Sequence, residues 1–95
     1  LRDSHLDEDQ KDNIETIPNA LEKTLKLRGV TYTRKDGDNK TRQVGVIAQE
    51  VKEVLPEAVV DGAHLSVAYG NMVGLLIEAI KEQQKQIEEL KSKLI

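Results

Sequence analysis

Cysteine, tryptophan and phenylalanine are absent from this chain of 95 residues, and Tyr32 and Tyr69 are its only aromatics. Without thiols there is no disulfide scaffold, no thiol catalysis and no thiolate metal site. His5 and His64 are the only imidazoles, too few for a histidine-rich metal centre. No apolar run approaches the roughly 18 residues of a membrane span, and no signal-peptide pattern opens the sequence. A net charge of -3 argues against a basic nucleic-acid binder. A phosphate loop of the GxxxxGK type is missing, as is a convergent acid–base set for an outside substrate.

The core must therefore be assembled from Leu, Ile, Val and Ala. A domain of this size buries only about 60–65% of the surface its unfolded chain exposes. That is marginal for a monomer, and oligomerisation is the natural remedy. Charge is unevenly spread. Residues 1–15 carry six acids against Arg2 and Lys11, whereas residues 16–45 carry seven bases against Glu22, Asp36 and Asp38. One reading is that the acidic lead packs against the basic middle of its own or a neighbouring subunit. Ordinary solvated faces are the plainer reading.

Residues 1–13 are polar and aperiodic, and read as an extended segment. Pro18 suits the first turn of a helix. Ile17, Ala20, Leu21, Thr24, Leu25 and Leu27 continue a helical stripe, which Gly29 stops. Val30 to Arg34 reads as a strand, Lys35 to Asn39 as its turn and Thr41 to Ile47 as the return strand. Ala48 to Leu55 forms a short helix ended by Pro56. Ala58-Val59-Val60 and Leu65-Ser66-Val67, on either side of Asp61-Gly62, predict a second small β pair.

From Tyr69 to Leu94 the sequence reads as one helix of about 36–39 Å. Val73, Ile80, Ile87 and Leu94 recur every seven residues, with Leu76, Gln83 and Leu90 in the companion positions. This is a heptad seam, and it requires a partner helix. Ile beside Leu favours a dimer on the parallel rules, while the polar Gln83 at a d position leaves dimer against trimer open. Glu82 with Lys85 and Glu89 with Lys93 are spaced to pair along the helix. The residues thus predict an α+β chain. A helix-plus-hairpin head spans residues 1–68, with 1–13 as its extended lead, and a coiled-coil helix spans 69–95. Gly70 and Gly74 weaken the start of that helix and admit close packing.

Gly45-Val46-Ile47-Ala48-Gln49-Glu50-Val51, followed by Pro56-Glu57-Ala58-Val59, resembles the centre of a known family. It is the self-cleaving intramolecular chaperone domain at the C-termini of phage tail spikes, tail fibres and endosialidases, also found in the myelin regulatory factor family of membrane-bound transcription factors. Leu65 to Tyr69 with Leu75 to Lys81 resembles its next block and trailing helix, and Lys11 to Ile14 with Ala20-Leu21 its opening block. The resemblance covers about residues 6–90.

The resemblance implies a parallel homotrimer that registers an upstream fibre domain of the same chain and then cuts itself off. The work would be done in the host cytoplasm during virion assembly, without nucleic acid or membrane. It further implies a single-turnover serine endopeptidase. The family opens with Ser-Asp-x-Arg-x-Lys and is cut just before the Ser, with the hydroxyl as nucleophile and the Lys amine as base. Such a base needs burial or neighbouring cations to lower its pKa from about 10.4.

This sequence departs from that opening, and three placements stay open. With Lys11 as the family Lys, Asp7 matches the Asp, but Leu6 stands at the Ser and Asp9 at the Arg. With Leu1-Arg2 as the third and fourth motif positions, the nucleophile lies upstream and Ser4 falls at the Lys. In the third, Ser4 is the nucleophile and Lys11 the base. On each, the chain resembles the released chaperone. The family-motif residues are Gly45, Ile47, Ala48, Gln49, Glu50, Pro56, Glu57 and Tyr69. Of these, the resemblance implies a role at a subunit interface or against the cleavage segment for Gln49 and Glu50, with plain helix-start residues as the alternative, and Tyr69 reads as a core or interface anchor. Two alternatives are a non-catalytic trimerisation module and the chaperone of a membrane-tethered transcription factor. No cofactor or metal is called for, and a nucleotide or ion on the oligomer axis is left open.

Overall fold

A computed structural model describes residues 7–94, so Ser4, His5 and the first two placements' Leu1, Arg2 and Leu6 lie outside it. The described residues begin with an exposed segment that contains a 3-10 turn at Glu8–Gln10. Helix α1 spans Ala20–Leu25. Strands β1 (Val30–Tyr32) and β2 (Gln43–Gly45) pair antiparallel, with Val30 opposite Gly45 and Tyr32 opposite Gln43. Helix α2 covers Ala48–Val54, and a 3-10 turn at Pro56–Ala58 follows. Strands β3 (Val59–Val60) and β4 (Ser66–Val67) form a second antiparallel pair. Helix α3 runs through 25 residues, Tyr69–Lys93. The α+β architecture read from periodicity is the observed one.

All four strands are shorter than the runs that predicted them, and two further differences, in α1 and in the pairing of Glu82, have one cause. Helix α1 is shorter than the apolar stripe, and Pro18 stands outside it because Asn19 adopts a left-handed conformation at φ 54°. The chain thereby enters α1 abruptly, with its first N–H groups exposed to whatever lies opposite. What lies opposite is Glu82 of α3, whose carboxylate accepts from the N–H of Ala20 at 2.8 Å and of Leu21 at 3.2 Å. An anion at a helix N-terminus satisfies orphan donors and complements the dipole. Glu82 therefore makes no pair with Lys85. The pair observed on α3 is Glu78 with Lys81, at 3.6 Å, and Glu89 with Lys93 is likewise unformed among the described residues.

The core is small. Ala20, Val51, Leu55, Ala58, Met72, Leu75 and Ala79 are buried, with Ile17, Leu21, Leu27, Val46, Val54, Val59 and Val67 packed around them. Helix α3 supplies three of the seven, Met72, Leu75 and Ala79, all from its first three turns. Those residues form a stripe distinct from the heptad stripe. Val73, Leu76 and Ile80 remain 44–65% exposed, and Ile87, Leu90 and Leu94 remain 41–86% exposed. One helix thus carries two apolar stripes: one closes the head, and the other faces solvent.

Candidate functional site

The family-type block occupies the junction of the hairpin, α2 and the start of α3. Val46 and Ile47 leave β2 in extended conformation, and the Ile47 carbonyl receives the first N–H bonds of α2, from Glu50 at 3.0 Å and Val51 at 3.1 Å. This turn opens a cleft of about 560 Å³, lined by Tyr32, Arg34, Ile47, Gln49, Ser66 and Tyr69 among others. Tyr32 donates its phenolic proton to Gln43 Oε1 across the hairpin at 3.4 Å.

Gly45 is required by a close approach. A Cβ there would lie 2.7 Å from Tyr69 Oη and 3.3 Å from Tyr32 Cε1, so both tyrosine rings reach over the end of β2 only because the side chain is missing. Tyr69 itself is 53% exposed and forms the outer wall of the cleft rather than part of the buried core.

Glu50 points away from the cleft to Arg28. The guanidinium donates from Nε to both carboxylate oxygens, at 3.1 and 3.2 Å, and from Nη2 to Oε2 at 2.9 Å. This fork ties the segment between α1 and β1 to the first turn of α2. The hydrogen bond with Glu50, and then its charge, hold Arg28 above the ordinary arginine pKa. At the hairpin tip Arg34 binds Asp36 at 3.1 Å, and this hydrogen bond together with the Arg34 charge holds the Asp36 carboxyl below its usual range. Lys40 Nζ donates to the carbonyls of Arg34 and Lys35 at 3.0 and 3.1 Å, closing the turn around Gly37.

The Pro56-Glu57-Ala58-Val59 block works from the other side. Pro56 starts the 3-10 turn, where its missing N–H is harmless. The Ala58 carbonyl accepts from the Ala68 N–H at 2.7 Å, and Asn71 Nδ2 donates to the Glu57 carbonyl at 3.3 Å. The block therefore staples α2 to the first turn of α3. A second cleft of about 570 Å³ separates it from Ile17 and Pro18 of the incoming chain.

Of the residues singled out in the sequence, Gly45, Ile47, Ala48, Gln49 and Tyr69 come together at the first cleft. Glu50, Pro56 and Glu57 act as ties beside it. Lys11 is exposed, just beyond the first 3-10 turn, and Ser4 lies outside the described residues. The acids between Asp7 and Glu15 make no ion pair with the basic middle of the chain among the described residues. Among those residues, too, no serine hydroxyl is hydrogen-bonded to a lysine or histidine, and no group of His, Asp and Glu is arranged to hold a metal. Arg28 and Glu82 carry structural ties that sequence reasoning missed. Their partners lie 22 and more than 60 residues away, and no local pattern marks them.

A family model described as the chaperone of endosialidase matches residues 7–60, more than half of the chain. The long tail fiber protein Gp37 of Enterobacteria phage K3 is 36% identical over 94 residues, covering 90% of this chain and 8% of that protein. Its counterpart from Enterobacteria phage M1 is 42% identical over 84 residues, covering 79% of this chain and 34% of that protein. The chain thus spans from under a tenth to about a third of the length of these relatives.

Proposed function

This chain belongs to the chaperone-of-endosialidase family, and from that premise we propose that it is the intramolecular chaperone of a phage tail fibre. In this reading it assembles as a parallel homotrimer through Val73, Leu76, Ile80, Gln83, Ile87, Leu90 and Leu94. The observation that carries the reading is the unpartnered heptad stripe of α3, exposed along its whole length in a single chain. The similarity to long tail fibre proteins favours a fibre over a membrane-tethered transcription factor as the upstream partner.

The physical advantage lies in order of assembly. Fibre domains rich in non-local pairing must close long loops before their contacts form. Three chains joined at their C-termini reach high effective concentration and a common register early. Release by a Ser–Lys dyad at or near the chaperone's N-terminus would then remove the route back and leave the fibre kinetically trapped. A second reading, a permanent trimerisation cap, draws on Lys11, which is exposed and hydrogen-bonded to no serine among the described residues.

Expression of a longer precursor, with roughly one small domain's length of native sequence upstream of Leu1, tests both. Two masses meeting at a Ser near Leu1 establish self-release, and the N-terminal residue of the smaller fragment chooses among the three placements. One uncut mass in a trimeric precursor leaves the cap.

A further inference from the structure

The head carries an apolar groove of about 250 Å³ beside the heptad stripe, walled by Thr24, Leu27, Val46, Tyr69, Met72 and Leu76. For scale, an engineered apolar cavity of about 150 Å³ accommodates benzene, so an aliphatic side chain fits. Two of the walls, Tyr69 and Leu76, occupy d positions of the heptad that places Val73 and Ile80 at a. Met72 occupies the adjoining g position. The groove therefore lies on the g flank of the seam and is continuous with it.

The opposite, e flank bears Gly70, Ile77, Gln84 and Lys91. Ile77 is the one large apolar residue among them, and it is 51% exposed. In a parallel coiled coil the g residue of one heptad faces the e residue of the following heptad on the neighbouring helix. Met72 closes one heptad and Ile77 sits in the next. The parallel register thus sets Ile77 of one chain against the groove of another, although within a single chain they lie on opposite flanks of α3.

We infer that Ile77 of each protomer seats in the head groove of the next protomer, so that the heads close a ring around the start of the seam. The inference rests on the parallel trimer proposed above and names a subunit contact outside the heptad core. Its contact is heterologous, and rotation by a closed symmetry satisfies every groove with one copy of the same residue. It also meets a deficit of the head. A buried core of seven residues, three of them alanine, is slender for a head of this size, and an Ile77 from a neighbour extends that core past Met72 and Leu27.

The absence of native cysteine makes the test direct. The full chain bearing Thr24→Cys and Ile77→Cys is oxidised and run without reductant. Thr24→Cys is nearly isosteric and removes a buried hydroxyl that has no hydrogen-bond partner. The expected product is a covalent trimer. A separate Ile80→Cys chain reports on the seam alone. Cross-linking of Ile80→Cys without cross-linking of the double variant overturns the groove contact and leaves the trimer standing. Failure of both, with a monomer mass by light scattering, overturns the trimer and the groove contact together.

A second measurement avoids reliance on disulfide geometry. Ile77→Asp is expected to weaken association by about tenfold or more, at unchanged helix content. Gln84→Asp, at the next e position and beside no groove, should change it by less than about twofold, as exposed charges typically do. Equal effects of the two variants overturn the inference.

Discussion

The two halves of α3 share one helix and one heptad pattern but differ in what they bury. From Tyr69 to Glu82 the helix is part of the head. Met72, Leu75 and Ala79 are buried, and Glu82 caps α1. From Gln83 to Leu94 every residue is exposed. The proximal half is held by its own chain. The distal half has only its backbone bonds and a few side-chain contacts, such as Gln84 to Glu88 at 3.3 Å. Isolated helices shorter than about 12–15 residues are marginal in water, so the distal half is held mainly by its continuity with the anchored proximal half. The lesson is that the heptad stripe stays exposed in both halves, while a second stripe of Met72, Leu75 and Ala79 decides what the head buries.

The largest expected effect separates the halves by site of damage. Leu75→Ala in the proximal half removes a fully buried side chain. It should lower head stability by about 2–5 kcal/mol, read by denaturant unfolding. Ile87→Asp in the distal half should leave the head fold intact and weaken association by about 1.5–3 kcal/mol per chain. Light scattering across a dilution series checks this. If Ile87→Asp unfolds the head as Leu75→Ala does, the division between the halves is wrong.

An intermediate effect sharpens the boundary. Glu82→Ala removes the acceptor for two N–H groups of α1 and should destabilise the head by about 0.5–2 kcal/mol, the range for a lost helix cap. Amide exchange at Ala20 and Leu21 should quicken first, while exchange beyond Gln83 stays unchanged. Uniform quickening along α3 would show that the two halves form one cooperative unit.

A smaller effect is expected at Gly45→Ala. The new methyl would press on Tyr69 Oη and Tyr32 Cε1. Tyr69 is half exposed and can swing outward, so the cost should stay near 1 kcal/mol, at the low end of overpacking. The fluorescence of Tyr69 should report the displacement with Tyr32→Phe as background.

The smallest effect is electrostatic and lies far from α3. The carboxyl of Asp36 is held below its ordinary value of 3.8 by Arg34. A depressed folded pKa contributes stability above the unfolded value, and that contribution is lost as pH falls below 3.8 through the folded one. Both groups are exposed, so the stability change is minor. Arg34→Ala should move the Asp36 titration upward by NMR, with no change in the oligomer.

Much of the fold was legible in the sequence because its determinants are local. Val30 to Arg34, the Asp-Gly turn and Thr41 to Ile47 predicted the hairpin, whose strands are shorter than those runs, and Pro56 predicted the end of α2. The period of Val73, Ile80 and Ile87 predicted the length of α3 to within a residue. The family-type block was legible as a motif, but what it does was not. Gly45 makes room for Tyr69, Glu50 ties down Arg28, and Ala58 bonds Ala68. Each of those contacts joins residues that share no turn of helix and no strand pair.

Sequence alone determined the order and kind of the elements, the absence of aromatic rings from the buried core and the presence of an unsatisfied helical stripe, whereas Met72 joins a core expected from Leu, Ile, Val and Ala alone. These follow from backbone preference and from the periods 3.6 and 2, which act over a few residues. Tertiary structure decided the rest. It placed Glu82 on α1 instead of on Lys85, drew Pro18 out of the helix, and assigned Met72, Leu75 and Ala79 to the head while leaving Val73, Leu76 and Ile80 exposed. The physical reason is that packing compares all apolar faces of the chain at once, and a half-buried anion site or a burial preference is settled by the surface that arrives opposite it.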